Sequence, residues 1–322
     1  MKLSIIVPCY NSEKFIAKTM DSLLKQTYQE FKIIAIDDGS SDNTLDILKE
    51  YAQKDARVQV YYKENGGIAS ARNYGLSLVD TEYFGFLDSD DYVKDDWLKA
   101  MMQKIEEDQS DLVVCGFTWT YTYKKKKDYV TLEGPYKPKQ EMMLQLFATL
   151  WNKIYRTQFI KETSLLFPDG YRYEDASFLY RLVPFVSKVS FVEKPYIFYV
   201  QHPASITHTH NEKVKDMIHV FEDILAFYHQ KKLYEEYKQE LEYIFIRFFL
   251  GNSFLRSVQI KDKPDRKLTL DLSFKILQDN FPNWKKNYYL NHLGGLKNIY
   301  YKLVNRYNYW VFASIFTCLK RK

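Results

Sequence analysis

Three carboxylates stand together in Phe86-Leu87-Asp88-Ser89-Asp90-Asp91, at the end of the apolar stretch Tyr83 to Leu87. Such a run reads as a buried strand whose tip emerges into a polar cleft. Clustered like charges there are costly unless a cation or hydrogen-bond donors offset them. Hard oxygen ligands suit Mg²⁺ or Mn²⁺, and such ions usually also bind substrate phosphates, so the cluster points to a nucleoside diphosphate. An acidic turn ahead of a helix fits the same residues, since Asp95 and Asp96 precede Trp97 and Leu98. A second acidic site, Tyr173-Glu174-Asp175, precedes Phe178, Leu179 and Leu182 on a predicted helix.

The elements that must position these acids are legible upstream. Apolar strands are predicted at Leu3 to Val7, Phe31 to Ile36, Val58 to Tyr61 and Tyr83 to Leu87, separated by segments with helical spacing. Phe15, Ile16, Thr19, Met20, Leu23 and Leu24 share one face of a first helix, and Leu45, Leu48 and Ala52 one face of a second. Strand-helix alternation implies a mainly parallel sheet, which binds ligands beyond the carboxyl ends of its strands. Three strands end in polar or turn-forming residues: Pro8-Cys9-Tyr10-Asn11, Asp37-Asp38-Gly39-Ser40 and the Asp88 cluster.

Four segments in this order resemble the successive motifs of glycosyltransferase family 2. They are Ser4 to Asn11, Ile36-Asp37-Asp38-Gly39-Ser40-Ser41-Asp42, Asn65-Gly66-Gly67-Ile68-Ala69-Ser70-Ala71-Arg72-Asn73-Tyr74-Gly75 and Asp88-Ser89-Asp90. The resemblance covers about the first two hundred residues and implies the α/β GT-A fold, a Rossmann-like, mainly parallel sheet flanked by helices. It also implies sugar transfer from a nucleotide sugar with inversion at the anomeric carbon. It places Pro8, Tyr10 and Asp38 around the uracil of a UDP-sugar, where an aromatic face stacks on a base and a carboxylate accepts from the imide N–H. A strand-terminating proline, a core tyrosine and a helix cap are the structural readings of the same three residues. Asn65 and Arg72 resemble further nucleotide contacts, Arg72 suiting pyrophosphate through its charged fork; a solvated helical arginine is the other reading. Asp88 falls to the ribose or metal shell, Asp90 to direct coordination of Mn²⁺ or Mg²⁺, and Asp91 to loop and helix geometry. Asp175 is the implied general base for the acceptor hydroxyl, with Glu174 orienting the acceptor or helping the metal site. A helix start stabilised by both acids competes with this, and would lower their pKa values. The Gly66-Gly67 pair lacks dinucleotide-fingerprint spacing, which argues against a Rossmann dehydrogenase.

Trp151-Asn152-Lys153-Ile154-Tyr155-Arg156 resembles the region bridging nucleotide and acceptor halves, where Lys153 would meet phosphate or acceptor; an exposed amphipathic segment fits equally. His202, His208 and His210 follow a predicted strand, Tyr196 to Val200. His202 is a candidate to complete the metal shell, or an ordinary surface histidine, and the three do not make a zinc motif.

With 322 residues there is room for two domains of roughly 150 residues. The expected division is 1–210, catalytic, and 211–322, a helical C-terminal domain with stripes at Val214, Ile218, Phe221, Ile224 and Leu225, then at Leu241, Ile244, Phe245, Phe248 and Phe249. Lys124 to Lys127 reads as a solvated hairpin tip, not a nucleic-acid site. Cys9, Cys115 and Cys318 have no metal or framework spacing, which suits a reducing cytosol. The N-terminus enters a strand too short for a signal-peptide core, and no apolar run reaches the roughly 18 residues that span a bilayer. From Trp284 to Lys322 there are no acids, while Lys285, Lys286, Lys297, Lys302, Arg306, Lys320, Arg321 and Lys322 interleave with aromatic and aliphatic residues. That pattern suits anionic lipid headgroups on the inner face of the cell membrane, or a packed helix with a basic outer face. The expected partners are a UDP-sugar and a glycan or lipid-linked glycan of a bacterial surface polymer. A non-catalytic membrane-associated scaffold and a sugar-nucleotide nucleotidyltransferase are the alternatives.

Overall fold

In the computed structural model the described residues are 1–122, 127–202, 215–292, 296–305 and 307–320. They divide into two compact units, one of residues 1–170 and 174–203, the other of 171–173 and 204–322. The expected boundary at 210 lies outside the described residues, as do His208, His210, Val214, Lys124 to Lys126, Arg306, Arg321 and Lys322.

The first unit is built on a nine-stranded sheet of order β3-β2-β1-β4-β8-β6-β9-β5, with β7 paired to β6. Its strands are β1 (Leu3–Cys9), β2 (Phe31–Asp38), β3 (Val58–Lys63), β4 (Tyr83–Phe86), β5 (Tyr92–Val93), β6 (Leu112–Tyr121), β7 (Tyr129–Thr131), β8 (Lys153–Arg156) and β9 (Val189–Gln201). The helices around it are α1 (Ile16–Leu24), α2 (Thr44–Lys54), α3 (Gly67–Ser77), α4 (Trp97–Asp108), α5 (Gln140–Gln145), α6 (Thr157–Thr163) and α7 (Glu174–Leu182).

Both β1 and β2 are buried along their whole length, which is why they read as continuous apolar runs instead of alternating ones. β1 pairs in parallel with β2 and with β4, Leu3 lying opposite Phe31 and Tyr83, and β2 pairs in parallel with β3. The order 3-2-1-4 therefore reverses direction beside β1, the switch point at which such sheets bind ligands. The predicted parallel half is present, and the sheet continues through β8, antiparallel to β4 and β6, and β9, parallel to β6. β6 and β7 flank the lysine run as an antiparallel pair, Trp119 opposite Tyr129.

Helix α3 lies hard against the sheet. A Cβ on Gly75 would stand 2.5 Å from Ile6 Cγ2, so only glycine lets the helix approach this closely. That approach fixes the height at which Arg72, one turn earlier, meets the strand ends.

The second unit is helical, as the 3.6-residue periodicity predicts. It comprises α8 (Asp216–Gln230), α9 (Tyr234–Phe245), α10 (Ser253–Ser257), α11 (Lys263–Asn280), α12 (Tyr288–His292), α13 (Leu296–Leu303) and α14 (Tyr309–Lys320), with a π-helical turn at Ile246–Asn252. Phe221 sits against Phe245, Phe248 and Phe249 in its core, and Phe245 meets Phe281. No helix among the described residues is long and apolar enough to cross a membrane.

Candidate active site

The loops after β1 and β2 are tied to each other. Asn11, at φ 48°, accepts from the Ser41 N–H (2.8 Å) and hydroxyl (3.2 Å) on its Oδ1, and its own N–H donates to Ser40 Oγ at 3.0 Å. Pro8 is buried within β1 opposite Ile36, whereas Tyr10 is 53% exposed. Asp38 is buried, and its carboxylate accepts from Lys63 Nζ (2.6 Å) and from the N–H groups of Gly66 (3.0 Å) and Gly67 (2.8 Å). Asn65 Nδ2 donates to the Asp38 carbonyl at 2.9 Å. The carboxylate expected to read a base thus holds the turn into α3, and Lys63, which the motifs did not flag, is part of that clamp. Gly39 is constrained by the same turn: at φ +71° a Cβ would meet the Asn65 nitrogen at 2.7 Å.

Arg72 joins the two acidic segments. It is buried, and one Nη donates to Asp88 Oδ1 at 3.0 Å while the other donates to Glu174 Oε1. Burial works against its charge, but Asp88, Glu174 and Asp175 outweigh it and raise the guanidinium's pKa. The solvated-arginine reading is therefore overturned. The fork that was expected to grip pyrophosphate is committed to two carboxylates, so Arg72 acts first as the cation that lets these acids sit together. Its neighbour Asn73 clamps the Phe167 backbone both ways, donating to the carbonyl and accepting from the N–H, each at 2.9 Å. Phe167 in turn stacks on Phe178 of α7 at 4.3 Å between ring centroids. Through Arg72, Asn73 and Phe167, helix α3 holds the start of α7 near the β4 tip.

Glu174 and Asp175 do open α7, as the helix-start reading has it. Yet the pKa of Asp175 is not lowered. Burial, reinforced by the Glu174 charge, pushes it to about 7 against the pull of Arg72 and of the Ala176 N–H, which donates to Oδ1 at 2.7 Å. Desolvation wins over the helix terminus, giving a carboxylate matched to accept a proton near neutral pH. Asp88 is raised as well, by burial first and by Asp90, with Arg72 opposing.

At the far side of the cluster, His202 Nε2 lies 2.9 Å from Asp90 Oδ2. The imidazole is buried and stacks on Phe15 at 4.3 Å, so it is not a loose surface histidine. Among the described residues no three His, Cys, Asp or Glu side chains are grouped as a metal cage. Asp90 and His202 offer a carboxylate oxygen and an imidazole nitrogen, a donor pair suited to Mn²⁺ or Mg²⁺ when substrate phosphate and water supply the remaining positions. Asp91 points the other way: its Oδ1 accepts from the Val200 N–H at 2.8 Å, pinning β9 to the acidic loop, and burial raises its pKa well above its ordinary value. Phe15 and Val200 could not be linked to this cluster from sequence, because Phe15 meets His202 and Val200 meets Asp91 across more than about a hundred residues of chain.

Lys153 is a correction. It is fully buried in β8, its ammonium donating to Glu133 Oε2 (3.1 Å), the Phe147 and Thr149 carbonyls and Asn152 Oδ1. Desolvation lowers its pKa, opposed by Glu133. Neither phosphate nor acceptor reaches a lysine so enclosed, and the exposed-segment reading fails with it.

Residues 4–166 match the family model described as glycosyl transferase family 2. The uncharacterized glycosyltransferase EpsJ of Bacillus subtilis (strain 168) is 32% identical over 256 residues, covering 74% of this chain and 73% of that protein. TarS of Staphylococcus aureus (strain MW2), a poly(ribitol-phosphate) beta-N-acetylglucosaminyltransferase, is 28% identical over 280 residues, covering 82% of this chain and 48% of that protein. The crystal structure of S. aureus TarS residues 1–349 in complex with UDP has a TM-score of 0.67 at 25% identity, covering 88% of this chain and 81% of that one. The matched segment spans the parallel strands, the Asp38 clamp, Arg72 and the acidic loop, and the chain belongs to glycosyl transferase family 2, a glycosyltransferase of GT-A fold.

Proposed function

We propose that the enzyme moves a sugar from a UDP-sugar, with inversion, to a hydroxyl of a cell-envelope glycan. The observation that carries the reading is Asp175, a carboxylate brought to about pKa 7 by burial and joined to the β4 tip through Glu174, Arg72 and Asp88. In a single displacement the acceptor oxygen bonds to the anomeric carbon, the bond from that carbon to the UDP oxygen breaks, and the acceptor proton passes to Asp175. Inversion follows from attack opposite the leaving group. UDP is supported by its presence in the TarS complex, and an envelope polymer by the poly(ribitol-phosphate) acceptor in the TarS name.

Within the site, Tyr10 offers its exposed ring to the base and Pro8 shapes the strand end beneath it. Asp38 and Asn65 hold the glycine turn whose backbone borders the nucleotide. Asp88 is available to the ribose on the oxygen Arg72 does not take. Asp90 and His202 would hold Mn²⁺ or Mg²⁺, which when bound neutralises charge on the departing diphosphate. Glu174 fixes Arg72 and raises the basicity of Asp175. Sequence features of a nucleotidyltransferase, a glycine-rich basic loop near the N-terminus, are missing.

A panel of nucleotide sugars tests this directly. UDP-sugars should release UDP with Mn²⁺ or Mg²⁺ present and stop doing so in excess chelator, while Mn²⁺ should tighten UDP binding in wild type but not in Asp90→Ala. Release from GDP- or CMP-sugars alone would overturn the donor assignment, and full activity with unchanged UDP affinity in chelator would overturn the metal.

A further inference from the structure

Helices α13 and α14 divide their apolar residues between two environments. Tyr301, Val304, Tyr309 and Ala313 are buried, Tyr300 meets Phe312 and Phe316, and Phe274 stacks on Tyr309. The same helices and the turn between them leave Ile299, Leu303, Tyr307, Trp310, Val311 and Ile315 exposed, from 36% at Trp310 to 77% at Tyr307. Ile299 and Leu303 are four residues apart on α13, and Val311 and Ile315 four apart on α14, so each helix presents an apolar stripe to solvent. Exposed aliphatic residues concentrated in one segment mark a surface that meets another apolar phase.

Charge says which phase. No Asp or Glu occurs from Trp284 to Lys322, while eight lysines and arginines do. Lys285 Nζ donates to the Lys302 carbonyl at 2.8 Å, so the turn at Trp284–Lys286 lies against the last residues of α13 and sets exposed cations beside Leu303. We propose that α13, α14 and this turn dock on an anionic lipid bilayer, lying in its interface. Ile299, Leu303, Val311 and Ile315 would enter the headgroup–acyl boundary, Tyr307 and Trp310 would sit at headgroup level, and the lysines would pair with lipid phosphates. A nucleic acid would leave the aliphatic side chains with nowhere to bury. A second copy of the chain would bring two acid-free, cationic segments together, which repel.

The test uses the full chain with vesicles of phosphatidylglycerol and phosphatidylcholine, compared with phosphatidylcholine alone. Anionic vesicles should bind at least tenfold more tightly, and salt raised from about 0.1 to 0.5 M should weaken this as the screening length shortens. Replacing Lys286→Gln and Lys302→Gln together should cost about fivefold in affinity per charge removed. Leu303→Ser, Val311→Ser and Ile315→Ser in one variant should abolish the binding that survives high salt. All five positions are on the surface, and wild-type helix content with an unchanged urea unfolding curve reports that the variants are folded. Tryptophan fluorescence of wild type should shift to the blue on anionic vesicles, and the shift should shrink in Trp310→Phe. Equal binding to both vesicle types, variants that bind like wild type, or concentration-dependent dimers with no vesicle binding would overturn the proposal. Because the readout is binding and not transfer, its outcome is independent of the sugar-transfer reading.

Discussion

Arg72 is the residue without which the acidic centre could not exist as drawn, since it donates to Asp88 and Glu174 at once from a buried position. Arg72→Ala leaves both carboxylates uncompensated, and breaking buried pairs of this kind costs about 3–5 kcal/mol, visible as a lower urea midpoint. Because Arg72 also holds the Asp175 pKa down, any folded Arg72 variant should shift the rising limb of the pH–rate profile to higher pH. Asp175 makes a converse prediction about stability. Its folded pKa of about 7 stands above the ordinary value of 3.8, so the folded state binds the extra proton between roughly pH 4 and 7 and loses stability as pH rises through that window. Asp175→Asn keeps the size and the acceptor for Ala176 and should melt a few degrees above wild type at pH 8, with no gain at pH 4; thermal unfolding at the two pH values checks it. The motif positions themselves were readable from residue type and order. What each carboxylate touches was not: the Lys63, Gly66 and Gly67 donors around Asp38 are brought together only by the fold.

At the scale of elements, legibility followed burial pattern. β1, β2 and β4 were plain because central parallel strands are apolar on both faces, and α1 and α2 because their buried residues repeat at helical spacing. β8 was misread for the opposite reason: Asn152 and Lys153 look like solvent-facing residues, and only the fold brings Glu133 within 3.1 Å of a lysine ammonium twenty residues on. Lys153→Met should therefore destabilise by about 3–5 kcal/mol, by stranding Glu133 in the core. Adding Glu133→Gln should recover part of that loss, because the amide carries no buried charge and its single oxygen can still accept from the Phe147 N–H. Chemical denaturation of the two single variants and the double variant gives the coupling. A loss that simply adds would mean that the pair is not one network.

For the whole molecule, strand-helix alternation predicted an α/β part and helical spacing a C-terminal helical part, and the described residues form an α/β unit and a helical unit. The acid-free tail shows why pattern alone left its role open: Trp284, Tyr301 and Tyr309 are core residues, while Leu303, Tyr307 and Val311 are exposed, and aromatic content does not distinguish them. The family is settled by residues 4–166, whereas the proposed chemistry rests on Asp175, beyond that segment. Its measurement is therefore the decisive one: UDP release from a UDP-sugar in Mn²⁺, followed from pH 5.5 to 9 in wild type and in Asp175→Asn, with UDP affinity determined on the same preparations. Wild-type turnover should rise through about pH 7, and the variant should fall by on the order of a hundredfold or more while binding UDP as wild type does. A variant that retains turnover, or that loses UDP affinity in step with it, would contradict Asp175 as the base.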